Sequence, residues 1–172
     1  MDLRKKQENV LLRLNEQLKG RKISTSFLAE EGQLTVSLSN LVPEKEINGD
    51  IYFPPLSETL GDIQLCAMEF ECSDFSGLPQ EKQSDVLAAA TMLNAAIPMG
   101  CFCVQGDEED SPVGSLVFRQ ELVLPSAISL EKLCEEVEQT FHVAERVIKD
   151  SLPQLLEFAE GKVAQEGLLG ND

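Results

Sequence analysis

The chain has 172 residues, 42% of them hydrophobic and 26% charged, enough for a single core that buries roughly 70% of the surface the unfolded form exposes, without a disulfide or metal staple. Its formal net charge is −16, yet residues 1–22 hold seven of the 14 basic residues against three acids, a local +4 that leaves −20 for the rest. So acidic a body repels phosphate backbones and anionic lipid, which excludes nucleic acid and membrane surfaces as expected principal partners.

Leu3, Gln7, Val10, Leu11, Leu14 and Leu18 recur at helical spacing and predict a first helix over Leu3–Leu18, ended by Gly20. Leu12 falls off that face and is a candidate partner contact. Ile23, Thr25, Phe27 and Ala29 alternate with Ser24, Ser26 and Leu28, and Glu31-Gly32 turns the chain into a second alternating run from Leu34 to Asn40. In this half-exposed hairpin only one of the opposite faces bearing Phe27 and Leu28 is needed for the core. From Leu41 to Gly61, Pro43, Pro54 and Pro55 with two glycines predict a long irregular excursion, and a third strand carries Cys66, Met68, Phe70 and Cys72 on one face.

The second helix ends at Pro98 and Gly100. Val86, Ala89 or Ala90, Leu93 and Ile97 supply its core stripe, while Ala88, Met92, Ala95 and Ala96 form a small, weakly polar second face, the candidate dimer contact. Two strands follow, Met99–Val104 and Val113–Leu124, joined by the acidic turn at Asp107–Asp110. Ser129 then caps a long helix with Ile128 and Leu133 as its staple, and Pro153 is expected to kink or break it. The expected fold is α+β, an antiparallel sheet flanked by helices in the order α-β-β-β-α-β-β-α. It forms one domain over residues 1–172, with an irregular excursion at 41–61 and a C-terminal extension after 152.

Catalytic apparatus is not visible. His142 is the single imidazole, no Gly-x-Ser-x-Gly elbow accompanies it, and neither a dinucleotide fingerprint nor a phosphate loop occurs. The acidic turn lacks the ligand pattern of an EF-hand. Cys101 and Cys103 share a strand face about 6.6 Å apart along the chain, too far for an unstrained disulfide. A zinc site drawn from Cys66, Cys72, Cys101 and Cys103 is the alternative to reduced, buried thiols. The expectation is no enzyme activity, no catalytic residue, no cofactor and no metal. No apolar run approaches the roughly 20 residues of a membrane span, and the charged start lacks a signal core, so the expected location is cytoplasmic.

Several short stretches, taken in order, resemble type III secretion chaperones and the related YbjN-like family. They are Leu93-Asn94, Gly100-Cys101-Phe102, Gly114 to Phe118, Leu122 to Pro125, Ser129-Leu130 with Leu133, and Phe141 with Ala144-Glu145. The resemblance spans most of residues 1–152. It implies a small acidic homodimer that binds an extended polypeptide client without ATP. Leu12, Phe27 and Leu28 are the candidate client contacts. The alternatives are a YbjN-like regulatory or assembly domain and a thiol or metal-binding protein.

Overall fold

A computed structural model describes residues 2–56, 61–75, 77–105 and 114–161. The elements are α1 (Leu3–Gly20), β1 (Ser24–Leu28), β2 (Gln33–Val42), β3 (Lys45–Tyr52), β4 (Ile63–Asp74), α2 (Gln80–Ala96), β5 (Cys101–Gln105), β6 (Ser115–Pro125) and α3 (Leu130–Ala159). The six strands form one antiparallel sheet in the order β1-β2-β3-β4-β6-β5. The α+β class and the flanking helices are as expected.

The expected excursion at 41–61 is corrected: its first half is β3, the partner of both β2 and β4. Pro43 and Glu44 make the tight turn from β2, with Glu44 at φ 60°. The element order therefore has four strands, not three, between the first two helices. Ser57 to Leu60 lie outside the described residues, as does the acidic turn at Asp107–Asp110.

All three helices contribute to a core on one face of the sheet. Leu34, Val36 and Leu38 from β2, Ile47 and Ile51 from β3, Cys66, Met68, Phe70 and Cys72 from β4, and Leu116 and Phe118 from β6 are buried there. Val10, Leu11, Leu14 and Leu18 of α1, Val86, Ala89, Ala90 and Leu93 of α2, and the stripe from Leu133 to Leu155 of α3 close over them. Aromatic contacts run through this core: Phe102 and Phe118 meet edge-to-face within the sheet, ring centroids 5.1 Å apart, and Phe70 of β4 meets Phe141 of α3 at 6.1 Å in a tilted arrangement that ties sheet to helix. Gly49 opposes Phe70 in the register, and a Cβ there would lie 2.3 Å from Phe70 Cδ1. The strand gives up a side chain so that the aromatic ring can lie across it.

The helix ends differ in detail from the expectations. Ser129 caps α3, its hydroxyl accepting from the Lys132 N–H at 3.2 Å. Gly20 is the last residue of α1 and not its left-handed cap; Lys22, at φ 64°, takes that conformation two residues later. Pro153 lies inside α3, which continues to Ala159. Ser151, Leu152, Leu155 and Ala159 are buried on the same stripe, so 153–159, the first part of the expected extension, belongs to the core, while 162–172 lie outside the described residues. Burial of that apolar stripe outweighs the one helical bond the proline removes.

Two polar links fix α1. Lys6, nearly buried, donates to the carbonyls of Ser126 and Ile128 at 2.7 and 2.8 Å, tying the first helix to the loop that launches α3. Arg21 holds Glu145 of α3 with one nitrogen at 2.9 and 3.0 Å from its two carboxylate oxygens. Beside them, His142 Nδ1 lies 3.1 Å from Glu145 Oε2. This histidine lies beside the Arg21–Glu145 ion pair that joins α1 to α3. Among the described residues, no helix is long and apolar enough to cross a membrane.

Candidate functional site

With the helices confined to one side, the other face of the sheet is left without a covering layer of described residues. Strand register determines what it displays, because side chains alternate and cross-strand partners point the same way. One row runs across all six strands as Ser26, Thr35, Asp50, Glu69, Arg119 and Cys101. The neighbouring row is Ser24, Ser37, Asn48, Glu71, Val117 and Cys103. The sheet's twist and the β4 bulge between Glu71 and Ser73 shape this surface into a trough of about 510 Å³.

Hydroxyls, an amide and carboxylates dominate the trough, and its described lining holds no Lys, Arg or His. Beside it, Arg119 is shared between Glu69 at 3.2 Å and Glu121 at 2.9 Å, so one guanidinium faces two carboxylates. Ser115 donates to Glu71 at 3.1 Å, and Ser37 donates to Glu46. Partial burial, followed by the charge and hydrogen bond of Glu69, pushes the Tyr52 phenol up from its usual value. Such a surface favours cationic groups and hydrogen-bond donors.

The two edges of the sheet differ. At β5 the side chain of Asn94 accepts from the Phe102 N–H and donates to its carbonyl, which closes that edge. At the opposite edge β1 pairs only with β2 among the described strands.

The candidate client residues do not form one patch. Phe27 pairs with Leu34 on the helix-covered face and packs against the core. Leu28 pairs with Gln33 on the uncovered face, at the rim of the trough. Leu12 is 41% exposed on α1, so the sheet separates it from Leu28. The candidate dimer residues do share a surface: Ala88, Ala95 and Ala96 are exposed and Met92 is half-buried on α2, alongside the exposed Leu87.

The cysteines fall into three environments. Cys66 and Cys72 are buried in the core, and burial pushes both thiols up to about 12. Cys101 and Cys103 lie on the uncovered face of β5, where burial and then the neighbouring Cys101 raise Cys103 to about 11. Cys134 is half-buried on α3, and burial raises it as well. The four-cysteine zinc alternative is thus corrected. Its two pairs face opposite sides of the sheet, on β4 and β5, which β6 separates.

The polar rows are not legible in the sequence, because strand alternation gives the two faces of each strand but not the cross-strand alignment. The one signal for them was the serine and threonine face of the first hairpin.

No protein-family model matches this chain, and no curated protein matches it. Among solved structures, it is similar to the crystal structure of YbjN, described as a proposed transcription regulator from E. coli. That likeness has 15% identity and a TM-score of 0.46 and covers 82% of this chain and 90% of that one. An uncharacterized protein from Methanothermobacter thermautotrophicus gives 14% identity and a TM-score of 0.45, over 90% and 99% of the two chains.

Proposed function

We propose that this chain is a non-enzymatic, ATP-independent polypeptide-binding protein that holds an extended, basic segment of a partner on the uncovered sheet face. The observation that carries this reading is the pair of polar, acid-bearing rows spanning all six strands, open at the β1 edge. An extended segment that enters at the β1 edge and crosses the strands along the rows can set Lys or Arg side chains against Asp50, Glu69 and Glu71. The carboxylates select for charge. The resemblance to secretion chaperones supports the same reading, including a homodimer built on the α2 face of Ala88, Met92, Ala95 and Ala96.

The test is fluorescence anisotropy with labelled ten-residue peptides that alternate lysine and serine or glutamate and serine. The lysine peptide binds and the glutamate peptide does not, binding weakens as salt rises, and Asp50→Asn with Glu71→Gln reduces it at unchanged thermal midpoint. Leu28→Asp weakens binding and Leu12→Asp does not, since the two residues are on opposite sides of the sheet. Equal binding of both peptides, or a double variant indistinguishable from the parent, overturns the assignment of this face.

A further inference from the structure

The uncovered face carries a second feature at its β5 end that peptide binding does not use. The sulfurs of Cys101 and Cys103 lie 3.3 Å apart, both half-buried, with Arg119 and Val117 as their partners across β6. Same-face positions on a strand are separated by about 6.6 Å, whereas a disulfide needs Cβ atoms about 3.8 Å apart. A direct sulfur–sulfur bond would therefore have to bend β5. The strand resists this: it is paired with β6 along its whole length, and Phe102, between the two cysteines, is held from outside by Asn94. An atom inserted between the sulfurs adds a second bond to the bridge and removes the conflict.

We propose that Cys101 and Cys103 form a two-thiolate site for a soft monovalent cation, Cu(I) or its analogue Ag(I). Soft thiolates select such ions, whereas structural zinc takes four ligands in a tetrahedron. Among the described residues, no three or more His, Cys, Asp or Glu side chains are grouped to hold a metal ion, so the pair supplies two-coordination. The surroundings favour a cation. Glu69 and Glu121 outnumber Arg119, and the whole chain carries −16. Binding breaks two S–H bonds, forms two metal–sulfur bonds and releases two protons to solvent, with no electron transferred. The product carries one net negative charge and stands opposite Arg119 in the register, whose guanidinium is shared with Glu69 and Glu121.

The experiment is anaerobic titration of the reduced full-length protein with Cu(I) held by bicinchoninate, followed by the loss of chelator colour. The parent withdraws one Cu(I) per chain. Cys101→Ser and Cys103→Ser each lose more than about 100-fold in affinity, beyond what loss of an outer-shell partner costs, while Cys134→Ser matches the parent. Failure of the parent to withdraw copper, or a Cys101→Ser variant that competes equally well, overturns the site. Stoichiometric Zn(II) binding of comparable strength overturns two-coordination. Should a serine variant fail to fold, alkylation of the parent with and without Ag(I), mapped by peptide mass spectrometry, gives the answer: Ag(I) shields Cys101 and Cys103 and leaves Cys134 reactive. Equal alkylation of all three with Ag(I) present refutes the proposal.

Discussion

Asn94 acts as a surrogate strand for Phe102: its side-chain amide accepts from the Phe102 N–H at 2.7 Å and donates to the Phe102 carbonyl at 2.9 Å. The last turn of α2 thereby satisfies the outward backbone groups of an edge strand, and the exposed template that would invite another chain is blocked there. Asn94→Ala is expected to cost about 1–3 kcal/mol, the usual penalty for leaving such groups unpaired. It should also raise the aggregation rate on warming. Urea denaturation with light scattering measures both, and a variant as stable and as dispersed as the parent would show that the amide does not protect the edge.

Gly49→Ala should destabilise the protein by about 1–3 kcal/mol, since the added methyl meets the Phe70 ring at 2.3 Å inside a filled core. Gly20→Ala is the control. Nothing lies within 4 Å of its Cβ position, and alanine favours the helix, so stability should hold or rise slightly. If thermal unfolding moves the two variants in the same direction, the close approach at Phe70 is not limiting.

Alkaline pH should destabilise the protein from about pH 9 upward, where the thiols of the unfolded chain ionise. Cys66 and Cys72 are raised from 9.0 to about 12 by burial, so above pH 9 the folded state holds protons that the unfolded chain releases. Their contribution is complete below about 9 and is lost as pH rises toward 12. Thermal midpoints recorded from pH 8 to 11 should fall, and Cys66→Ala with Cys72→Val should flatten the slope. An unaltered slope would assign the loss to other groups.

The α2 surface should mediate a dimer. Ala88→Glu or Ala95→Glu is expected to shift the mass found by multi-angle light scattering from two chains toward one, because each places a charge on a close-packed contact. Both positions are exposed in the single chain, so folding should be unaffected. A parent that remains one chain across a rising concentration series removes the interface.

Much of this fold is legible in the sequence, because helices with a continuous apolar stripe and strands with unbroken alternation announce themselves. α1, β1, β2, β4, β6 and the capped start of α3 are of that kind. β3 is not, since Gly49 occupies the position where an apolar residue would complete the alternation of Ile47 and Ile51. The missing side chain belongs to Phe70, more than twenty residues away. Pro153 misleads in the opposite sense: the local rule predicts a break, while the stripe through Leu152 and Leu155 continues into a core that only the folded chain reveals. The candidate site lies beyond both kinds of signal. Ser26, Asp50, Glu69 and Cys101 become neighbours in one row only when six separate segments adopt a common register.

That arrangement also makes the surface a report on completeness. β5 reaches the sheet solely through β6, which lies between β5 and β4 although it follows β5 in the chain. Until residues 115–125 have taken their place, the row that begins at Ser26 stops at Glu69, and Cys101 has no strand to hold it in line. A chain still emerging during synthesis, or one cut before β6, would present the first four strands without the finished trough. The finished surface along the full row thus exists only in molecules whose last strand has been threaded home.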